Sequence, residues 1–122
     1  MGLPQRLRLR RSEDFERLRQ TGRTYRQRLM LVNAAPNEVG HNRYGFVTGK
    51  RLGNAVVRNR VRRLLQASIR ALHPRLRVGY DLVIVAHPAA VGQPLTTIQR
   101  TVIELMSQAD LLTDTDVESV LP

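Results

Sequence analysis

The chain is 122 residues long and carries 20 basic against 10 acidic side chains, a net charge of +10. That length suits one domain around one core, and a hydrophobic fraction of 42% excludes disorder throughout. With no cysteine, disulfides, thiolate metal sites and cysteine nucleophiles are excluded together.

No window reaches the roughly 18 apolar residues that cross a bilayer. The basic start, Met1 to Arg11, is followed by no apolar segment of secretory length, so a cytoplasmic protein without a signal peptide or membrane contact is expected. The charge is unevenly placed. Residues 1–80 hold 19 basic and 4 acidic side chains, net +15, and residues 81–122 hold 1 and 6, net −5. Such concentration calls for a polyanionic partner on the first two thirds. All the cations except Lys50 are arginine, whose planar fork grips phosphate bidentately and stacks on bases.

Arg6-Leu7-Arg8-Leu9-Arg10-Arg11 reads as extended chain running into the fold. Ser12 is placed to cap a short helix, with Glu13, Asp14 and Glu16 near its positive end. Phe15 and Leu18 share one face of it, and Gly22 marks its stop. Thr24-Tyr25 and Leu29-Met30-Leu31-Val32 read as strands. A turn-rich link through Pro36-Asn37 and Gly40-His41-Asn42 leads to a third strand, Tyr44 to Thr48.

The basic loop Gly49-Lys50-Arg51-Leu52-Gly53 opens the longest helix, with Val57, Val61, Leu64, Leu65, Ile69 and Leu72 at helical spacing. That helix should end before Pro74. Leu82-Val83-Ile84-Val85-Ala86 reads as a central strand buried on both faces. A last helix spans Leu95 to Ala109, and residues 110–122 form an acidic tail expected to fray. The domain proper is therefore set at residues 1–109. Interleaved strands and helices make the class α+β, with helices packed on a small sheet.

The long helix carries the strongest functional signal. At about 100° per residue its apolar stripe takes a little over a third of the circumference. Arg58, Asn59, Arg60, Arg62, Arg63, Gln66 and Arg70 occupy most of the rest, with no acid among them. Arg58 and Arg62 are like charges at i, i+4, and Arg58 also opposes the helix dipole. Local rules broken repeatedly on one face point to a ligand that supplies the missing negative charge. The free N–H groups at the helix start, beside Lys50 and Arg51, suit phosphate. Asn59 can hydrogen-bond to a base edge or sugar.

The run Lys50-Arg51, Gly53-Asn54-Ala55-Val56, Arg58-Asn59-Arg60 and Arg62-Arg63 resembles the signature of the protein subunit of bacterial ribonuclease P. The resemblance extends to Ser12-Glu13-Asp14-Phe15, Arg43-Tyr44-Gly45-Phe46 and Gly79-Tyr80-Asp81, covering roughly residues 7–90. It implies an α-β-β-β-α-β-α fold with a left-handed β-α-β crossover, similar to ribosomal protein S5 domain 2. That handedness opposes a rule obeyed by about 98% of such connections.

The resemblance also implies a non-catalytic subunit of an endoribonuclease, a hydrolase that removes the 5′ leader of precursor tRNA. In such an enzyme the RNA subunit, with Mg²⁺, performs the cleavage, and the protein itself holds no cofactor, metal or small-molecule substrate. Contact with the catalytic RNA falls on Lys50, Arg51, Asn54, Arg58, Asn59, Arg60, Arg62, Arg63 and Arg70. A cleft between the sheet and the first helix would hold the leader, with Phe15, Arg11, Arg19, Tyr25 and Leu29 as its contacts. Arg19, Leu29 and Val32 stand where aromatic residues often line that cleft, with Tyr25 offered in compensation. The rival readings are a ribosome-associated or RNA-chaperone protein, and a protein nuclease with a carboxylate or histidine site of its own.

Two further patterns carry little. Gly45-Phe46-Val47-Thr48-Gly49-Lys50-Arg51 superficially resembles a phosphate-binding loop, but it is one residue short and Arg51 replaces the required hydroxyl. His41, His73 and His87 each sit near a turn or proline, as surface histidines do.

Overall fold

The computed structural model describes residues 2–113. Its regular elements are α1 (Ser12–Thr21), β1 (Arg23–Arg26), β2 (Met30–Pro36), β3 (Arg43–Val47), α2 (Ala55–Leu72), β4 (Tyr80–Ala86) and α3 (Leu95–Gln108). This is the expected α-β-β-β-α-β-α order. The strands form one mixed sheet in the order β1-β2-β4-β3. β4 pairs antiparallel with β2 and parallel with β3, so α2 is the crossover of a β-α-β unit. The apolar run read as a central strand is central, and most of β4 is buried.

Strand alternation divides the sheet into two unlike faces. One rank runs Tyr25, Val32, Ile84 and Phe46, and the next runs Ala34, Leu82 and Tyr44. These residues meet Val61, Leu65, Ile69 and Leu72 of α2 and Ile98, Val102, Leu105 and Met106 of α3 in the main core. The opposite face is covered by α1 and by Leu9 ahead of it, through a smaller cluster of Leu9, Leu18, Ala35 and Val83 flanked by Phe15 and Val85.

Ahead of α1, residues 2–10 form a strap along the outer edge of β3. Leu7 N–H donates to Pro4 O in a 3-10 turn, and Leu9 N–H donates to Tyr44 O at 2.8 Å. Arg8 forms a parallel bridge with Tyr44. Leu3 and Leu7 enter the main core, while Leu9 enters the cluster beneath α1.

Three details differ from the sequence reading. Ser12 is the first residue of α1 rather than its cap; Arg11 holds the cap position, and no side chain bonds the helix start there. Gly22 does end α1, but in an extended conformation. A Cβ there would lie 2.0 Å from Asn33 Oδ1 and 2.5 Å from Leu18 O, so crowding, not a left-handed turn, demands glycine. The chain also stays packed beyond residue 109. Leu111 is buried, Leu112 bridges Leu76, and Thr113 N–H donates to Arg75 O. The rest of the acidic tail, 114–122, lies outside the described residues.

Candidate nucleic-acid interface

The basic loop and helix begin at a forced turn. Lys50–Leu52 make one 3-10 turn, and Gly53 follows at φ +137°, ψ −157°, a region essentially confined to glycine. Asn54 then caps α2, its Oδ1 accepting from Val57 N–H at 3.1 Å. The capping bond commits the Asn54 carbonyl to structure and leaves its amide free to donate outward.

Along α2 the apolar stripe turns into the main core and the arginines turn out. Lys50, Arg51, Asn59, Arg60, Arg63 and Arg70 are exposed, and Arg58 and Arg62 are half-buried. None of these cations has a carboxylate oxygen within ion-pair distance among the described residues. Arg62 is a strut: it donates to Asn59 Oδ1 at 2.9 Å and to Thr48 Oγ1, tying α2 to the end of β3. Asn59 is thereby oriented with its amide outward. Arg58 Nε is buried without a hydrogen-bond partner, an unmet donor beside a helix start whose first turn holds no acid.

The α1 side of the sheet offers a second surface. The Phe15 ring packs directly over Gly45, where a Cβ would come within 2.7 Å of the ring. One rank further along, Arg26, Leu31, Val85 and Val47 share the same face, with Val85 packed at the margin of the α1 cluster, and this rank beside Phe15 is here called the trough. Leu31 and Val85 are half-buried, and Val47 is 38% exposed. Asn33, in the rank beneath α1, completes the floor, its Oδ1 buried and without a partner.

The predicted leader contacts divide on this geometry. Phe15 lies on the trough face. Arg11 is exposed at the start of α1, and Arg19 is exposed but ion-paired with Glu16. Tyr25 does not reach the trough: its register with Val32 and Ile84 turns it to the helical face, where it packs on the main core. Leu29 is also lost to that core, because the chain bends at Arg28–Leu29 and breaks the alternation before β2 begins. Val32 is fully buried there too, and its neighbour Asn33 takes the trough side. Arg26, Leu31, Asn33, Val47 and Val85 share this face and are not among the residues the sequence singles out; strict alternation along β2 would have placed Leu31 and Asn33 on it.

Other polar groups hold the scaffold. Asp81 is fully buried and receives Arg43 Nε (2.9 Å) and Nη2 (2.8 Å), Asn37 Nδ2 (2.9 Å) and Arg17 Nη2. Burial pulls its carboxyl upward, yet the Arg43 and Asn37 hydrogen bonds and the two guanidinium charges outweigh it and hold the carboxyl below its usual range. The Tyr44 hydroxyl meets His73 Nδ1 at 2.8 Å, and burial pushes the phenol up to about 12. Burial, then the charges of Arg6 and His41, lowers the His73 imidazole. His41 Nε2 lies 2.9 Å from Arg6 O, and His87 Nδ1 lies 3.2 Å from Arg28 O. Among the described residues no group of three or more His, Asp or Glu side chains could hold a metal, and no helix is long and apolar enough to cross a membrane.

A family model described as Ribonuclease P matches residues 3–110. The ribonuclease P protein component of Chloroflexus aggregans is 43% identical over 116 residues, spanning 94% of this chain and 86% of that protein. That of Roseiflexus sp. is 39% identical over 110 residues, spanning 89% and 90%. Among solved structures, a Staphylococcus aureus RNase P protein mutant superposes with a TM-score of 0.83 at 25% identity, over 88% of this chain and 91% of that one. The Thermotoga maritima RNase P protein, at 21% identity, shares the fold with a TM-score of 0.76, over 83% and 96%.

Proposed function

The chain belongs to the ribonuclease P protein family, and on that premise we propose that it binds two RNAs at once on its two arginine-bearing surfaces. The outward face of α2, with the Lys50–Arg51 turn, takes the backbone of the ribonuclease P RNA. Its guanidinium groups replace condensed counterions on that RNA, and the entropy of their release drives association. Asn59 donates to a sugar or base edge within this electrostatic contact.

The trough beside α1 takes the single-stranded 5′ leader of precursor tRNA. Phe15 offers a stacking surface, Leu31, Val47 and Val85 a dry floor, and Arg26 with Arg11 the charge that tracks the backbone. The protein thereby lowers the repulsion between two polyanions. Hydrolysis belongs to the RNA subunit and its Mg²⁺, with no protein side chain acting on the scissile phosphate. Mature tRNA has no leader to fill the trough, so precursor binds more tightly.

The observation that carries this reading is the α2 face itself, a ridge of arginines at the family's spacing with no carboxylate in ion-pair range among the described residues. The test is cleavage of precursor tRNA by the RNA alone, the protein alone and both together at low Mg²⁺. Stimulation of the RNA by the protein is expected. Cleavage by the protein alone, or no stimulation, refutes the proposal, and the second result favours the RNA-chaperone reading.

A further inference from the structure

The strap along β3 displays arginines of its own. Its apolar members point inward on alternate sides of the sheet edge, leaving Arg6, Arg8 and Arg10 exposed. The protein is selective in what it neutralises. Arg17 and Arg43 share Asp14 and Asp81, Arg19 has Glu16, and Arg77 has Asp110. The strap arginines have no carboxylate partner among the described residues, and exposed Glu13, two residues beyond Arg11, forms no ion pair with them. Like charges packed this closely repel one another unless a ligand compensates.

The strap also adjoins the α2 face. A Cβ built on Gly2 would lie 2.7 Å from Arg8 Nη2 and 3.2 Å from Gln66 Oε1, so the Arg8 guanidinium and α2's polar face flank one point. Gln66 is one turn from Arg62 and one turn from Arg70. The backbone that carries these arginines is held at Arg6 O by His41, at Leu9 N by Tyr44 and at Leu3 O by Arg8 Nε. Little order remains to be imposed on binding, which favours affinity.

We infer that Arg6, Arg8 and Arg10 form a second phosphate-binding ridge, continuous with the α2 face, for the backbone of the structured RNA subunit. The assignment rests on the proposed function and extends its RNA-binding surface around the β3 edge. The ridge spans from the helical side of the sheet to the start of α1, so one RNA backbone can follow it from Gln66 toward Arg11.

The test compares the full chain with an Arg6→Gln/Arg8→Gln/Arg10→Gln variant and an Arg60→Gln/Arg63→Gln variant. Each is titrated with isolated ribonuclease P RNA across a range of salt concentrations. Each phosphate contact contributes about 0.9 to the log–log salt slope, so the strap variant's slope should be shallower by about 2 to 3. Raising salt from about 50 to about 200 mM should then cost it about 40-fold less affinity than it costs the unaltered chain. The corresponding triple lysine variant keeps the charges and should keep the slope.

Unchanged slope and affinity in the strap variant, with losses in the α2 variant, overturn the ridge and leave the α2 reading standing. Unchanged binding in both overturns both. A loss that lysine does not rescue and that follows a lowered melting temperature marks a folding defect and overturns the ridge. So does a loss confined to precursor tRNA binding by the holoenzyme, which would assign these arginines to the leader.

Discussion

Replacing Asp81 by asparagine isolates the tie that holds α1 over the sheet. The carboxylate receives four donors, three of them from guanidinium groups. Asparagine keeps the shape but presents an NH₂ where one oxygen accepted, so at least one Arg contact turns repulsive and the rest lose their ionic character. A hydrogen bond to a charged group contributes about 1.5–3 kcal/mol, and removing one partner of a buried ion pair costs about 3–5 kcal/mol. The Arg17 side chain is 37% exposed and that of Arg43 22%, so water recovers part of the loss. About 3 kcal/mol remains, equivalent to a fall of about 10 °C in Tm for a domain of this size.

The pH dependence supplies a second check. The folded carboxyl titrates below its unfolded value. Its contribution is therefore complete above the unfolded pKa and is lost as pH falls through the folded one. Thermal melting followed by circular dichroism should show a gap between parent and variant that is full at neutral pH and closes in acid. A neutral-pH fall of less than about 3 °C, or a gap that persists unchanged in acid, would refute the reasoning.

Gly53→Ala forces a side chain into a glycine-only conformation with its Cβ 3.3 Å from Val57, and urea unfolding should report a loss of about 1–3 kcal/mol at unchanged m. Phe15→Ala should weaken holoenzyme binding of precursor tRNA by about 5- to 150-fold, from one lost stacking contact, without changing binding of mature tRNA. Tyr25→Ala, on the opposite face, should leave the precursor-to-mature ratio unchanged, and equal losses from the two variants would contradict the division of the sheet. Tyr44→Phe removes the hydroxyl that meets His73 and should cost about 1 kcal/mol in the same unfolding assay.

The helices and the apolar strands were legible because each buries a stripe of its own period, and the α2 face was legible because charge of one sign collects on it. Sheet facing was harder. β1 offers a single apolar residue, Tyr25, between arginines, too few for alternation to fix its side. On β2 a shift of one residue exchanges the two faces, and the sequence reading put Val32 where Asn33 stands. The Asp81 hub was invisible for another reason. Its partners Arg43 and Arg17 lie 38 and 64 residues away, so no local pattern announces them. The strap runs extended only from Arg8 onward, since Gln5–Leu7 close a 3-10 turn where the sequence suggests extended chain, and its seat on β3 comes from the non-local bond between Leu9 and Tyr44.

The strand order also constrains when this protein can take shape during synthesis. β2 and β3 meet only through β4, so the sheet cannot close until residues 80–86 have left the ribosome. By then the first 80 residues, net +15, are already outside, a polycation whose sheet is still incomplete. For that interval the growing chain carries its charge without the finished sheet that shapes it. Arrival of one apolar strand ends the exposure, converting a loose counterion into a shaped surface.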